Sequence, residues 1–415
     1  MERATKPSGP HGRAWIASGP GMIAMLGVAQ ICSWGTLYYA FPLIAEAMRA
    51  ELGWSKEAIY GAASLGLTLS GLAAYPVGAA IDAGRGRMVM TLASLAAGAL
   101  FVAWSQVSGL WALYAVFGGI GCLQAATLYD PAFAVVARRF GPLNARRAIT
   151  QLTLWGGFAS TVFVPLIQWL IDGFGWRSAL LVLGAVNIVA CAGLYRLAID
   201  PRRDHAEAMP AHAPALARDE GAVREAMRMP VFWALALAFV AYATASSALS
   251  FHFYPLLIER GLTAGGAVLV FSVIGPAQVA GRTAVWLLAG NAPVGRIGSL
   301  VVIAFPLSIL GFAFAPPEIL PLVLTAAVYG AANGMMTIVR GLSVPEMVSH
   351  RAYGAINGAI GTPMRFVQAL APLAVAWLWT TGGSYGLAIA AIFAVTVAQA
   401  AGFWVAALVA RRRAA

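Results

Sequence analysis

Three arginines stand inside stretches otherwise too apolar to hold a charge: Arg282, Arg340 and Arg365. Arg365 lies midway along a run from 354 to 379, which at a helical rise of about 1.5 Å per residue puts it near the centre of a hydrocarbon layer. Placing a guanidinium there costs at least about 2.5 to 3.5 kcal/mol, so Arg365 must meet water, a partner or a ligand. Gly358, Gly361, Thr362, Arg365, Gln368 and Pro372 recur at spacings of three and four, which gives one polar stripe of small residues. The chemistry this suits is recognition rather than bond making, because the planar guanidinium fork matches a carboxylate. Arg282 follows Gln278 by one turn and is a second candidate for the same clamp; the competing reading is a cap on helix carbonyls.

Asp130 and Arg340 occupy matching positions in two other apolar runs, Asp130 with Thr127 on its face and Arg340 with Asn333 and Thr337. Asp130 could exchange a proton as its neighbours change. The reading favoured here is a fixed Asp130 to Arg340 pair that latches two parts of the molecule. Gln30, Trp34 and Tyr38 form a stripe in the first run, and Tyr242, Ser246 and Ser250 form one in the seventh; both suit a cavity wall with few polar groups. His252 reads as an interfacial histidine with its bonds satisfied. Cys32, Cys122 and Cys191 are spaced neither for a disulfide framework nor for a metal.

Enzyme chemistry finds little support. Intramembrane aspartyl proteolysis needs a second membrane carboxylate beside Asp130, and none lies deep in a run. There is no His-Glu-x-x-His helix, Gly-x-Ser-x-Gly elbow or Walker loop. No cofactor or metal is expected, and the expectation is a protein that is not an enzyme.

The elements that position these residues are long apolar helices. Of 415 residues 60% are hydrophobic and 10% charged, too much apolar surface for a soluble fold. Runs of helix-spanning length fall near 21–45, 57–81, 88–107, 109–137, 148–171 and 178–199, then near 230–258, 267–289, 296–315, 319–345, 354–379 and 384–409. The expected organisation is a cytoplasmic segment 1–20, a six-helix bundle 21–199, a charged Pro-containing linker 200–229, a second six-helix bundle 230–409 and a basic tail 410–415. The fold class is thus an all-α membrane protein of 12 transmembrane helices. Most of the 27 Lys and Arg fall on one face, and only Arg49, Lys56, Arg177 and Arg260 lie in loops on the other. Cationic loops stay cytoplasmic, so both termini are expected inside a bacterial-type inner membrane, and the first run is a retained span. The same distribution explains the net charge of +11 without nucleic acid as a partner.

The two sets of runs repeat one another. Tyr39 to Glu46 matches His252 to Glu259, Asp82 to Arg87 matches Asn291 to Arg296, and Thr127 and Asp130 match Thr337 and Arg340, at nearly constant separations. A parallel six-plus-six repeat implies two bundles with a binding site between them at mid-membrane, worked by alternating access. Here the chain resembles the major facilitator superfamily over nearly its whole length. Gly78 to Asp82, followed by Arg87 to Met90, is similar to that superfamily's loop motif between spans 2 and 3, in the spacing of its monocarboxylate porter and oxalate:formate antiporter branch. Ala83 stands where the motif usually has Arg, and span 4 lacks the Arg of many proton-coupled drug exporters, which argues against drug-proton antiport. Asp82 and Arg87 are the expected gating residues of that loop.

The resemblance implies a secondary transporter, a symporter or antiporter, and membrane Arg residues on spans 8 and 11 resemble the two cationic positions of oxalate:formate antiporter-like proteins. The expected substrate is a small organic anion held by Arg365, Arg282 and Arg340 with Tyr38, Trp34 and Gln368. Asp130 is a candidate proton or gating site, and the expected unit is a monomer in the lipid bilayer. Efflux of an amphipathic or metalloid solute, with Cys32 and Cys122 as candidate thiols, and a non-transporting receptor on the same fold are the alternatives.

Overall fold

The computed structural model describes residues 19–204, 221, 223–288, 292–349 and 353–414. The amino-terminal segment through residue 18 and the middle of the expected linker lie outside them. Among the described residues ten helical stretches are long and apolar enough to cross a membrane. Two of these, Lys56–Ser105 and Arg147–Arg203, run for 50 and 57 residues, well beyond the roughly 20 that one crossing needs. Each is broken at a glycine in the left-handed region, Gly84 (φ 80°) and Gly175 (φ 76°). Both therefore have the length and the break for two crossings, which accords with the expected twelve. The last helix, Gly386–Ala414, continues through Arg411 and Arg412, past the expected end of the last run at 409.

Prolines shape the spans, and the carbonyls they leave free are answered by side chains from elsewhere. Span 4 is not one continuous helix: Leu110–Thr127 ends at Leu128, whose backbone is extended, and a new helix starts at Tyr129. Pro131 cannot donate to the Thr127 carbonyl, which instead accepts from Gln30 Nε2 (2.8 Å) and Tyr195 Oη (3.0 Å). The stripe expected of Gln30, Trp34 and Tyr38 is split by this arrangement, because Gln30 is wholly buried in the first bundle. In span 11, Pro372 leaves the Gln368 carbonyl free, and Ser247 Oγ donates to it at 2.7 Å. Span 1 bends through a π turn, Gly35–Tyr39, and Gln124 Nε2 takes up the Leu37 carbonyl at 2.7 Å.

The helices divide by their contacts. Span 2 packs on span 4, span 8 on span 10 and span 7 on span 12; the two halves meet through spans 2 and 11 and spans 5 and 8. Glycines permit the closest approaches. A Cβ at Gly121 would lie 1.9 Å from the Gly66 carbonyl oxygen, and one at Gly334 would lie 2.1 Å from that of Gln278. The two halves use similarly close backbone packing between equivalent pairs of spans.

The apolar core is lopsided. At the end away from the basic loops it is continuous across both halves, with Tyr38 and Phe41 of span 1 against Phe251 of span 7 at centroid separations of 5.0 and 5.4 Å. At the basic end the first half keeps a core of its own, including Met22, Leu26, Ile81, Val136 and Leu152. The space between the halves is consequently closed at one end and open at the other.

Candidate functional site

That space is a cavity of about 820 Å³. Trp34 and Tyr38 come from span 1, Gln124 and Asp130 from either side of the span 4 break, and Thr337 and Arg340 from span 10. Span 11 contributes Gly358, Gly361, Thr362, Arg365 and Gln368, the expected stripe without its last member, Pro372. Of the span 7 stripe expected of Tyr242, Ser246 and Ser250, none lines the cavity; Phe239 and Ser247 do. Tyr242 instead donates to Asn333 Oδ1 in the second bundle.

The central charged contact differs from the expected one. Asp130 pairs with Arg365 (Nη2 to Oδ2, 3.3 Å) and, among the described residues, not with Arg340. The break at Leu128 is what lets Asp130 leave its helix end and face span 11. Both side chains remain open to solvent, 57% for Arg365 and 71% for Asp130. A pair so exposed contributes about 0 to 1 kcal/mol and is readily exchanged for a ligand. Arg340 stands exposed on the same cavity. Trp34 lines the wall, and its Nε1 has no hydrogen-bond partner.

Arg282 does not line this cavity. Its Nη1 donates to the Thr153 carbonyl of span 5 at 3.0 Å, and its Nη2 lies 3.5 Å from Gln278 Oε1. It joins the halves in the way the carbonyl-cap reading describes. Asp82 and Arg87 lie at the basic end, at the turn between spans 2 and 3, away from the cavity lining. The residue that ties this turn down is one the sequence did not single out for it: Arg138 donates to the Asp82 carbonyl (2.7 Å) and pairs with Asp204 (3.0 Å). Cys32 and Cys122, the thiols of the metalloid alternative, are not among the lining residues.

The closed end holds a second set of groups that went unread. Lys56, expected in a loop, opens span 2 and is buried at 3% exposure. Its Nζ lies 3.4 Å from Glu46 of span 1 and sits over the rings of Trp379 (4.2 Å) and Tyr385 (4.6 Å) from the other half. Glu259, which repeats Glu46, accepts from Trp379 Nε1 and from the Tyr385 amide, each at 2.6 Å. The paired carboxylates were the available signal, since both close the same aligned segment.

The Major Facilitator Superfamily profile matches residues 26–372. Rat monocarboxylate transporter 13 (Rattus norvegicus) is 28% identical over 358 residues, covering 80% of this chain and 76% of that protein. Human monocarboxylate transporter 11 (Homo sapiens) is 29% identical over 307 residues, covering 70% and 60%. Among solved structures, the nucleoside transporter NupG superposes with a TM-score of 0.73 at 16% identity, over 94% of this chain and 99% of that one. A bacterial homologue of the human lysosomal transporter Spinster, inward-facing and unoccupied, gives 0.65 at 16% identity over 97% and 98%.

Proposed function

This chain belongs to the major facilitator superfamily and is a multi-pass transporter of a small organic substrate; we propose that the substrate is an organic anion, in particular a carboxylate, and that Arg365 binds it. The observation that carries this reading is the charge of the cavity. Its lining holds two guanidinium groups, Arg340 and Arg365, and one carboxylate, Asp130, which leaves one positive charge uncompensated. A monocarboxylate restores neutrality, and a bidentate guanidinium contact gives it orientation. Trp34, Tyr38 and Phe239 supply apolar wall. The names of the monocarboxylate transporter relatives accord with such a substrate.

The mechanism is alternating access between two bundles, one on each side of the linker around residues 200–229. In this reading the open end, ringed by basic loops, faces the cytoplasm, both termini lie on that side and the membrane is an inner one. Substrate entering from that side competes with Asp130 for Arg365. Exchange of one carboxylate for another keeps the Arg365 charge balanced throughout, and Asp130 holds it in the empty carrier. In this scheme Asp130 acts as gate, Arg340 steers anions inward, and Arg282 fixes span 8 to span 5. One chain supplies both sides of the cavity and works as a monomer.

Solute discrimination tests the substrate class. Counterflow into proteoliposomes should proceed with mono- or dicarboxylates and not with their neutral amides. Equal movement of an amide and its acid removes the anion reading.

A further inference from the structure

The closed end contains a chain of hydrogen bonds whose donors and acceptors can be assigned from geometry alone. His252, at the end of span 7, is buried at 2% exposure and uses both ring nitrogens. Nε2 lies 2.8 Å from the Pro372 carbonyl. A carbonyl only accepts, so Nε2 carries the hydrogen. In the neutral ring Nδ1 then accepts, and the Tyr385 hydroxyl 2.9 Å away must donate to it. The Tyr385 oxygen in turn accepts from Lys56 Nζ at 3.1 Å. The order runs from Lys56 to Tyr385 to His252 to Pro372 and joins span 2 of one half to spans 12, 7 and 11 of the other.

We propose that His252 is a proton-binding switch for this gate: the closed end holds only while the imidazole is neutral, and a proton taken up at Nδ1 favours its opening. A second ring proton removes the acceptor that the Tyr385 hydroxyl needs. Lys56, the neighbour on the other side of that hydroxyl, is a donor only. The proton also adds a positive charge in a buried site that already holds the Lys56 ammonium. The groups around the ring are Lys56 and Tyr60 of span 2, the latter stacked on the imidazole at 4.1 Å, Tyr385 of span 12 and the Pro372 carbonyl of span 11. Behind Lys56 lie Glu46 and Arg49 of span 1, themselves paired at 3.1 Å, and Glu259 sits on the Tyr385 amide. No carboxylate in this set bonds the imidazole itself, so a charged ring has no counterion within hydrogen-bond reach. Once the gate opens, water solvates the ring and the penalty falls away. Proton binding and closure therefore oppose one another, and by linkage each expels the other. Acid on this side of the membrane favours the carrier open on this side.

The test needs no substrate and so stands apart from the anion reading. Spin labels at Gly173→Cys in the first half and Glu318→Cys in the second, both exposed at the closed end, report the separation of the halves by double electron-electron resonance, with the native cysteines replaced. In the otherwise unaltered carrier the long-distance population should rise as pH falls from about 8 to about 5, by at most about tenfold per pH unit for a single proton. His252→Gln keeps an amide donor for Pro372 and cannot titrate, and its distances should not respond to pH. Tyr385→Phe, in case His252→Gln fails to fold, should raise the open population at neutral pH and blunt the response. A pH-independent distance in the parent protein overturns the proposal. So does an undiminished response in either variant, which would move the titration to Glu46 or Glu259.

Discussion

Arg365 of span 11 and Asp130 of span 4 meet across the cavity at 3.3 Å, each on a different half of the molecule. The contact rests on a backbone break in one span and a low wall on the other. Span 4 breaks at Leu128, so Asp130 starts a new helix instead of continuing the old one. On span 11, Gly358 and Gly361 leave the wall beside Arg365 low, with open space where a Cβ would stand. A solvated pair that bridges the two halves suits a site that a ligand would interrupt.

Asp130→Asn removes the competitor for Arg365. If the pair is worth no more than about 1 kcal/mol, the apparent affinity for a carboxylate should tighten by up to about fivefold, with turnover altered. The KM for proteoliposome uptake measures it. A large loss of affinity would make Asp130 part of the binding site itself.

Lys56→Met should destabilise the closed end, because Glu46 and the aromatic cage then lose the charge they surround. Glu46 keeps Arg49 at 3.1 Å, so losing Lys56 should cost less than the roughly 3 to 5 kcal/mol of a fully isolated buried charge, and losing both partners less still. Thermal unfolding in detergent should show Lys56→Met less stable than the double variant with Glu46→Gln. The reverse order would mean that the ion pair adds little to this gate.

Gly121→Ala and Gly334→Ala place a methyl group 1.9 and 2.1 Å from a backbone oxygen of the neighbouring span. Backbone cannot give way as a side-chain tip can, so both variants should lose monodisperse protein in gel filtration. Gly358→Ala meets nothing within 4 Å and should behave like the parent. Normal behaviour of Gly121→Ala would contradict the packing of spans 2 and 4.

Much of this architecture was legible in the sequence. Apolar length marked the spans, the repeated Tyr39 to Glu46 segment marked the halves, and the three-four spacing on span 11 marked a cavity wall with Arg365 on it. The partner of Asp130 was not legible. Repeat alignment equated it with Arg340, but equivalence places two residues at the same depth, and contact requires that they also face one another. The bend at Leu128 decided that, and it depends on Gln30 and Tyr195 answering the Thr127 carbonyl from distant parts of the chain. Lys56 was misread for a related reason. It follows Ser55, whose hydroxyl caps the helix by accepting from the Ala58 amide, so locally it looks like the start of a span at the membrane surface. Trp379 and Tyr385, which cover it, lie more than three hundred residues away. Arg282 was visible as a membrane charge, but nothing local tells a ligand clamp from a clasp on the Thr153 carbonyl.

Carboxylate counterflow in the parent protein against Arg365→Gln, in proteoliposomes and with folding checked by gel filtration, tests the central claim most directly. The account predicts exchange in the parent and its loss in the variant, with partial recovery in Arg365→Lys, which restores the charge without the fork. Undiminished carboxylate exchange by Arg365→Gln would contradict it.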